Sequence, residues 1–232
     1  MTYTVIGRCA RTNKIGLGLA TFSVAFGSYT QGAHSSLGIA MSQAFGRKSN
    51  APLALKLMEQ GYSHSSVLRE LLADDPDAEY RQIGVMDRRG NGSVKTGDKT
   101  AHWRGERCGQ DYLVFGNALE GEQVVAAMEA GFLESADRAL EDRLIHVLER
   151  GRDAGGQRLG SDKLTERSAC LVVVDNANYA DWDLRVDFHP RAVDELRRIY
   201  EIYKPYQKYY AERDFNPRQC LTHVELGLTH CD

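Results

Sequence analysis

The sequence contains no long hydrophobic run and no cysteine pair with metal-binding spacing. No segment approaches the ~20 apolar residues of a transmembrane helix, and no basic stretch followed by an apolar run of signal-peptide length opens the chain. Its five cysteines are odd in number, widely spaced and without a CxxC motif, which argues against a disulfide framework or a zinc cage. We therefore expect a cytoplasmic protein with reduced thiols: Cys9, Cys108, Cys170, Cys220 and Cys231.

A surface of one charge sign is also lacking. The 29 basic and 32 acidic residues are spread along the 232 residues and give a net charge of -3, without the basic stripe that binds phosphate backbones. The aromatic and basic tail beyond residue 203 could stack bases. One short stretch of this kind in an acidic protein is more typical of a subunit contact or a wrap over the core, so we expect neither nucleic acid nor a membrane as partner.

Signatures of cofactor sites are absent too. The glycine-containing stretches "GRCARTNKIGLG" and "GQDYLVFGNALEG" have neither GxGxxG nor Walker spacing. Asp183, Asp187 and His189 could be drawn as a metal site, but strand alternation places the two aspartates on one face with His189 beyond the strand end. We expect no metal and no cofactor.

What is present is a regular alternation of strand and helix patterns. "TYTVIGRCA" and "KIGLGLATFS", separated by "RTN", predict a hairpin, and "SSLGIAMSQAF" predicts a third strand. Two short helices follow, in "NAPLALKLMEQG" and "SHSSVLRELLADDP". Short strands then run from "RQIGVMD" to "DYLVFGN", each bounded by Gly or Asp.

The second half repeats the alternation. Two helices are predicted from Glu120, the second with Leu140, Leu144 and Leu148 on one face. After a polar loop from residue 157 to 167, "SACLVVVDN" predicts a strand buried on both faces. "WDLRVDF" predicts a last strand, and a helix follows Pro190 that Pro205 is expected to kink or end.

This order of elements predicts a fold of the α/β (α+β) class. Strand groups separated by helix pairs favour two stacked sheets with helices outside, because every amphipathic element must cover the apolar face of another. The expected architecture is a four-layer αββα sandwich.

Seven motifs carry a resemblance to a known family: "TYTVIGR", "GLGLATFSVAFGS", "SLGIAMSQAF", "RQIGVMDRRGNGSVKTG", "YLVFGNALEGEQVV", "RDAGG" and "DLRVDFHPRAVDELRRIY". The chain resembles the N-terminal-nucleophile (Ntn) hydrolase fold and, within it, the domain-of-unknown-function 1028 family. Proteasome β-subunits are a more distant likeness. The resemblance implies an Ntn-type domain over residues 1–203, with residues 204–232 as a C-terminal extension packing on the domain or on a partner subunit.

In such a fold Thr2 is the expected nucleophile once Met1 is removed. An α-amine has a pKa of about 7.7–8.0, so a useful fraction is neutral near pH 7 and can take the proton of the hydroxyl. Attack on an amide would give an acyl-enzyme that water releases. The alternative is a β-favouring threonine next to a retained Met1.

Asp153 in "RDAGG" is the second candidate. The proteasome-type arrangement implies that an Asp after the last long helix orients the terminal amine, while Gly155 and Gly156 let backbone approach the site. The alternative is a solvated carboxylate at a helix end.

Asn117 at a strand end could donate its amide to a developing oxyanion, or could be a turn residue after Gly116. Ser42 and Gln43, which end the third strand, could contact substrate, or pack and form a turn.

Where proteasome subunits carry Asp and Lys near the nucleophile, this chain has Thr21, Phe22 and Ser23, with Gln31 and His34 farther on. We expect Thr21, Ser23 and His34 to line the substrate site. The alternative for His34 is a loop residue without a functional role, which is the commoner case for a histidine in a polar loop. The missing Lys argues against a protease-like mechanism.

The resulting hypothesis is an amidohydrolase that acts on a small-molecule amide through Thr2, as a homodimer or higher homo-oligomer. The alternative is a catalytically silent Ntn-fold protein that binds a small ligand or serves as an assembly partner. A cysteine-dependent hydrolase would require Cys9 to be exposed near a histidine with a lowered pKa.

Overall fold

The computed structural model describes the chain except for residues 29–30, 176–178 and 228–232, which include Cys231. The described residues form a mixed α+β fold of antiparallel sheets and five α-helices, so the predicted class is confirmed. The strands are β1 Thr2–Arg8, β2 Ile15–Thr21, β3 Gln31–His34, β4 Gly38–Ala44, β5 Arg81–Asp87, β6 Gly92–Thr96, β7 Arg104–Gly109, β8 Tyr112–Asn117, β9 Gln157–Leu159, β10 Asp162–Leu164, β11 Ser168–Val174 and β12 Ala180–Val186. The helices are α1 Asn50–Glu59, α2 His64–Asp74, α3 Glu122–Glu134, α4 Leu140–Asp153 and α5 Ala192–Phe215.

The larger sheet has six strands in the order β12-β11-β2-β1-β8-β7. The predicted hairpin places β1 in the middle, paired with β2 on one side and β8 on the other. Side chains alternate along β1, so Tyr3 and Val5 pack among residues of α3, α4 and α5 on one face. The opposite face carries Thr2, Thr4 and Ile6.

The smaller sheet has four strands in the order β3-β4-β5-β6. Its outer face is covered by α1 and α2, whose Ala54, Met58 and Leu71 pack against Ile83 and Val85. The Ser63 hydroxyl accepts a hydrogen bond from the Ser66 N–H and so caps the start of α2.

The inner faces of the two sheets bury a separate apolar cluster. It includes Ile6, Leu17 and Phe115 from the larger sheet and Ile39, Met41 and Met86 from the smaller one. The sheets approach closely at Gly84, where a Cβ would lie 2.7 Å from the Phe115 ring. Only glycine fits there, because packed sheets leave little free volume.

Two local expectations were wrong. The stretch from residue 157 to 167 contains the two-stranded β9–β10 sheet instead of a plain loop, and His34 lies on a strand. Of the two effects expected of Pro205, an end of the helix is not found, because α5 runs on to Phe215. A proline removes one helix hydrogen bond, but ring contacts such as Tyr203 with Tyr210 hold the two halves of the helix together.

No helix in the described part of the chain is long and apolar enough to cross a membrane. Within the same residues, no group of three or more His, Cys, Asp or Glu side chains is placed to hold a metal ion. Cys9 and Cys170 are buried as predicted, while Cys108 is exposed and Cys220 is half-buried.

Candidate active site

Four polar residues stand side by side at one end of the larger sheet. Thr2 is paired with Thr21 on β2 and with Asn117 on β8, and Thr21 is paired with Ser168 on β11. Directly paired residues point to the same face of a sheet, and here that face is turned toward the smaller sheet, as Ile6 in the inter-sheet cluster shows. We call Asn117, Thr2, Thr21 and Ser168 the polar row.

The hydroxyl of Thr2 is closed off while Met1 is present. The Thr2 side chain has its Oγ1 3.1 Å from Thr21 Oγ1, and the residue is only 1% exposed. The Thr21 hydroxyl donates to the Met1 carbonyl at 2.5 Å and accepts from the Ser23 N–H. Because the single Thr21 proton is committed to Met1, the Thr2 hydroxyl is the donor in the Thr2–Thr21 pair.

An inter-sheet network of buried polar side chains lies next to the row. Gln82 Oε1 accepts from Gln43 Nε2 at 2.7 Å and from Asn117 Nδ2 at 3.1 Å. Gln82 Nε2 donates to Thr96 Oγ1 at 2.8 Å and to the Gly116 carbonyl at 3.0 Å. The Thr4 hydroxyl donates to Gln43 Oε1 at 2.6 Å. We call Thr4, Gln43, Gln82, Thr96 and Asn117 the inter-sheet network.

Asn117 therefore belongs to both groups. Its Nδ2 is occupied by Gln82, and its buried Oδ1 has no hydrogen-bond partner among the described residues. An orphaned buried carbonyl is costly, which marks this position as one that a further donor would stabilise.

Thr4 and Gln82 were missed by sequence reasoning as parts of the site. The available signal was a polar residue on the buried face of a strand with otherwise apolar neighbours, as in "RQIGVMD".

Among the described residues, no hydrogen bond joins the "RDAGG" segment to the Thr2 hydroxyl. Asp153 is the last residue of α4; its side chain is 64% exposed and pairs with Arg152 at 2.8 Å. Gly155 and Gly156 have φ values of +123° and +60°, in the region that favours glycine. A Cβ on Gly156 would lie 2.6 Å from Glu166 Oε1, so the backbone does approach a polar group here.

Gln157 and Glu166 link this segment to the polar row. Gln157 Oε1 accepts from the Phe22 N–H at 3.0 Å, and Gln157 Nε2 donates to Glu166 Oε1 at 3.3 Å. The Tyr3 hydroxyl is buried beside this carboxylate. Burial, reinforced by the charge of Glu166, raises the pKa of Tyr3 well above its usual value.

The remaining predicted substrate contacts fall in three places. Ser23 joins the row through its N–H to Thr21 and its carbonyl, which accepts from the Ser168 hydroxyl at 2.8 Å. Ser42 accepts from the Arg47 N–H and from Asn50 Nδ2 at the start of α1. His34 pairs with Gly38 at the far end of β4, five residues from Gln43, or about 16 Å at strand rise.

The structure thus brings Thr2, Thr21, Ser23, Asn117 and Gln43 together, whereas Ser42 points to the other face of β4, toward α1. It does not bring His34 to the same end of the sheet.

The Met1 amine lies next to this site, and its pKa is shifted. Burial lowers the pKa of the Met1 amine from 8.0 to about 6, because the charged form loses hydration. An amine in this environment is mostly neutral at pH 7 and can accept a proton.

Cys9 meets only part of what a cysteine hydrolase requires. Burial raises the pKa of its thiol, but hydrogen bonds from Thr12 and Arg11 outweigh this effect, so the pKa lies below its usual value. The cleft that it lines contains Arg8, Arg11 and Arg143 and no histidine among the described residues.

A family model described as a family of unknown function, DUF1028, matches residues 2–196. The chain belongs to this family. A comparison with curated proteins finds no significant match. The crystal structure of the DUF1028 protein SPO2555 from Silicibacter pomeroyi is 24% identical, with a TM-score of 0.79, over 88% of this chain and 89% of that one. That likeness shows a common DUF1028 fold.

Anbu, an ancestral β-subunit from Yersinia bercovieri, is 12% identical, with a TM-score of 0.41, over 90% of this chain and 97% of its own.

Proposed function

We propose that this DUF1028 protein is an N-terminal-nucleophile amidohydrolase that acts on a small-molecule amide through Thr2 after Met1 is removed. The fold proposed with it is the four-layer αββα sandwich of the Ntn type. The observation that carries the proposal is the polar row, which surrounds the Thr2 hydroxyl with Thr21 and Asn117 at the end of a central strand.

Removal of Met1 would change the site in two ways. The Thr21 hydroxyl would lose the Met1 carbonyl as acceptor and could hydrogen-bond the new Thr2 amine or its hydroxyl. The new amine would lie one residue deeper than the Met1 amine, whose pKa is already lowered to about 6 by burial. A neutral amine is the general base that the mechanism requires.

The reaction would then follow from these groups. The Thr2 amine takes the proton of the hydroxyl, Oγ1 attacks the amide carbonyl, and the proton passes to the departing amine. Asn117 is the neighbouring side-chain amide that could stabilise the oxyanion, by exchanging Gln82 for the substrate oxygen. Water then hydrolyses the ester on Thr2. Asp153 is exposed and pairs with Arg152. This position supports a catalytic role for Asp153 less well than the polar row supports one for Thr21.

One observation favours a second candidate, a catalytically silent protein of this fold that binds a small ligand. With Met1 in place, Thr2 is 1% exposed and its hydroxyl is bound to Thr21. A retained Met1 would therefore leave no accessible nucleophile in the row.

Intact mass and acylation by a β-lactone distinguish the two candidates. We expect loss of one methionine, followed by addition of one lactone that a peptide map places on Thr2. Thr2→Ala should abolish the adduct and Thr2→Ser should keep it. Thr100→Ala is the matched control, because Thr100 is also a buried threonine but lies outside the row and the inter-sheet network. Met1-free protein that takes no lactone on Thr2 would refute the hydrolase proposal.

A further inference from the structure

A second cleft lies on the other side of the larger sheet from the Thr2 hydroxyl. It has a volume of about 220 Å³ and lies where β10, the end of α4 and the start of α5 meet. Pockets for drug-sized ligands usually measure about 300–1,000 Å³, so this cleft suits a smaller molecule. Its charged lining residues are Arg152, Lys163, Glu166, Arg191 and Asp194. We call it the Glu166 cleft.

Glu166 is a buried carboxylate without a cationic partner. The residue is 6% exposed, and no Lys, Arg or His among the described residues forms an ion pair with it. The groups that donate to it are both neutral: the Gln157 amide at 3.3 Å and the Tyr3 hydroxyl. Buried charges are normally paired, because desolvation without compensation is expensive.

The Tyr3 hydroxyl lies beside Glu166 on its buried side. Tyr3 is fully buried and does not line the cleft, and its hydroxyl donates toward the Glu166 carboxylate. A phenol is neutral, so this contact leaves the charge of Glu166 without a counter-ion. An ammonium group in the cleft has the matching charge.

The cations of the cleft are not equally available. Arg152 and Arg191 both pair with Asp194, at 2.5 and 2.7 Å, and Arg152 also pairs with Asp153. Lys163 is exposed and forms no ion pair with any described residue. The two unmatched charges that line the cleft are therefore one negative, Glu166, and one positive, Lys163.

We propose that the Glu166 cleft binds a small zwitterionic amino acid, with its ammonium group on Glu166 and its carboxylate on Lys163. Such a ligand supplies the missing counter-charge at both positions, and the buried end of the pair is a charge-assisted hydrogen bond. The site is on the helix-facing side of the sheet, as Tyr3 is. It does not depend on Thr2 chemistry, so either proposal can fail alone.

Isothermal titration calorimetry with four probes tests the charge pattern. L-leucine and 4-aminobutyrate are zwitterions with different charge separations, while 3-methylbutylamine and 4-methylpentanoate each keep one charge of leucine. We expect at least one zwitterion to bind, and to bind roughly tenfold or more tightly than either single-charge probe, since one lost charge-assisted contact is worth about that factor. Failure of both zwitterions to bind wild-type protein at millimolar concentration would overturn the proposal.

Two variants assign the contacts. Glu166→Gln keeps the shape and should abolish zwitterion and amine binding. Lys163 is exposed, so Lys163→Met should not disturb the fold. It should weaken zwitterion binding about tenfold and leave amine binding unchanged, because only the zwitterion has a carboxylate. Lys56→Met, at an exposed lysine of α1 outside the cleft, is the matched control. Zwitterion binding that survives both cleft substitutions contradicts the assignment; if Glu166→Gln does not fold, Lys163→Met and the wild-type probe series still decide.

Discussion

The hydroxyl oxygens of Thr2 and Thr21 lie 3.1 Å apart across the β1–β2 pair, and the Thr21 hydroxyl also holds the Met1 carbonyl. One small side chain thus connects the proposed nucleophile to the residue whose removal would expose it. Loss of Met1 would free the Thr21 hydroxyl proton and create the Thr2 amine at the same moment.

Replacement of Thr21 by valine removes this connection without changing the shape of the side chain. We expect Thr21→Val to lower the free energy of unfolding by about 1–2 kcal/mol, because the buried Thr2 hydroxyl and Met1 carbonyl lose their partner. Urea denaturation measures the change. Thr165→Val, the same change at an exposed position after β10, should stay within about 0.5 kcal/mol. Equal effects at both positions would contradict the role given to Thr21.

Gln82 is expected to be the most sensitive polar residue of the inter-sheet network. Gln82→Leu leaves Gln43, Asn117 and Thr96 each short of a partner, so we expect a loss of about 2–4 kcal/mol. Gln110→Leu is the control, because Gln110 is exposed and its amide bonds lie at the surface. A Gln82 variant as stable as the Gln110 variant would show that the network contributes little.

Gly156 and Gly160 offer a matched pair. Both have φ of +60°, so alanine costs a similar backbone strain of about 1 kcal/mol at each. A Cβ at Gly160 meets nothing within 4 Å, whereas at Gly156 it would lie 2.6 Å from Glu166 Oε1. We expect Gly156→Ala to be the less stable variant by thermal melting and to weaken zwitterion binding in the Glu166 cleft. Indistinguishable melting temperatures would mean that Glu166 moves aside freely.

The lowered pKa of the Met1 amine predicts that the stability of protein that retains Met1 depends on pH. Its pKa is about 6 in the folded state and 8.0 as a free amine, so the unfolded chain binds more protons between these values. This contribution to stability is complete above pH 8 and is lost as the pH falls through about 6. Urea midpoints at pH 8.5 and 5.5 should show the loss, and Nα-acetylated protein, which lacks the titrating group, should show less of it. Parallel pH profiles would contradict the perturbed amine.

Much of the fold follows from local sequence pattern. Alternating and continuous apolar runs predicted the β1–β2 hairpin and β11, and a glycine or proline at the ends of apolar-periodic segments predicted α1 and α2. Local pattern could not show whether Pro205 ends α5, because the ring contacts that stabilise the helix, such as Tyr203 with Tyr210, come from residues on both sides of the proline.

The site was predictable from local pattern only within the hairpin. Thr2 begins β1 and Thr21 ends β2, so their pairing could be anticipated, whereas the pairing of Thr2 with Asn117 joins strands far apart in sequence. The bond from Thr4 to Gln43 joins residues 39 apart in sequence and in different sheets. Sheet-on-sheet packing decides which polar residues meet, and single-strand periodicity carries no information about it. His34 lies far from Gln43 for a different reason, the antiparallel pairing of β3 with β4 within the smaller sheet.

The space between the two sheets differs along its length. Most of it is filled by apolar side chains such as Ile6 and Met41, but the end beside Thr2 is closed by amide and hydroxyl contacts through Gln82 and Gln43. Hydrogen bonds are directional, whereas apolar contacts are not. The polar end therefore fixes how the two sheets are aligned on each other, while the apolar part supplies most of the favourable free energy of their packing.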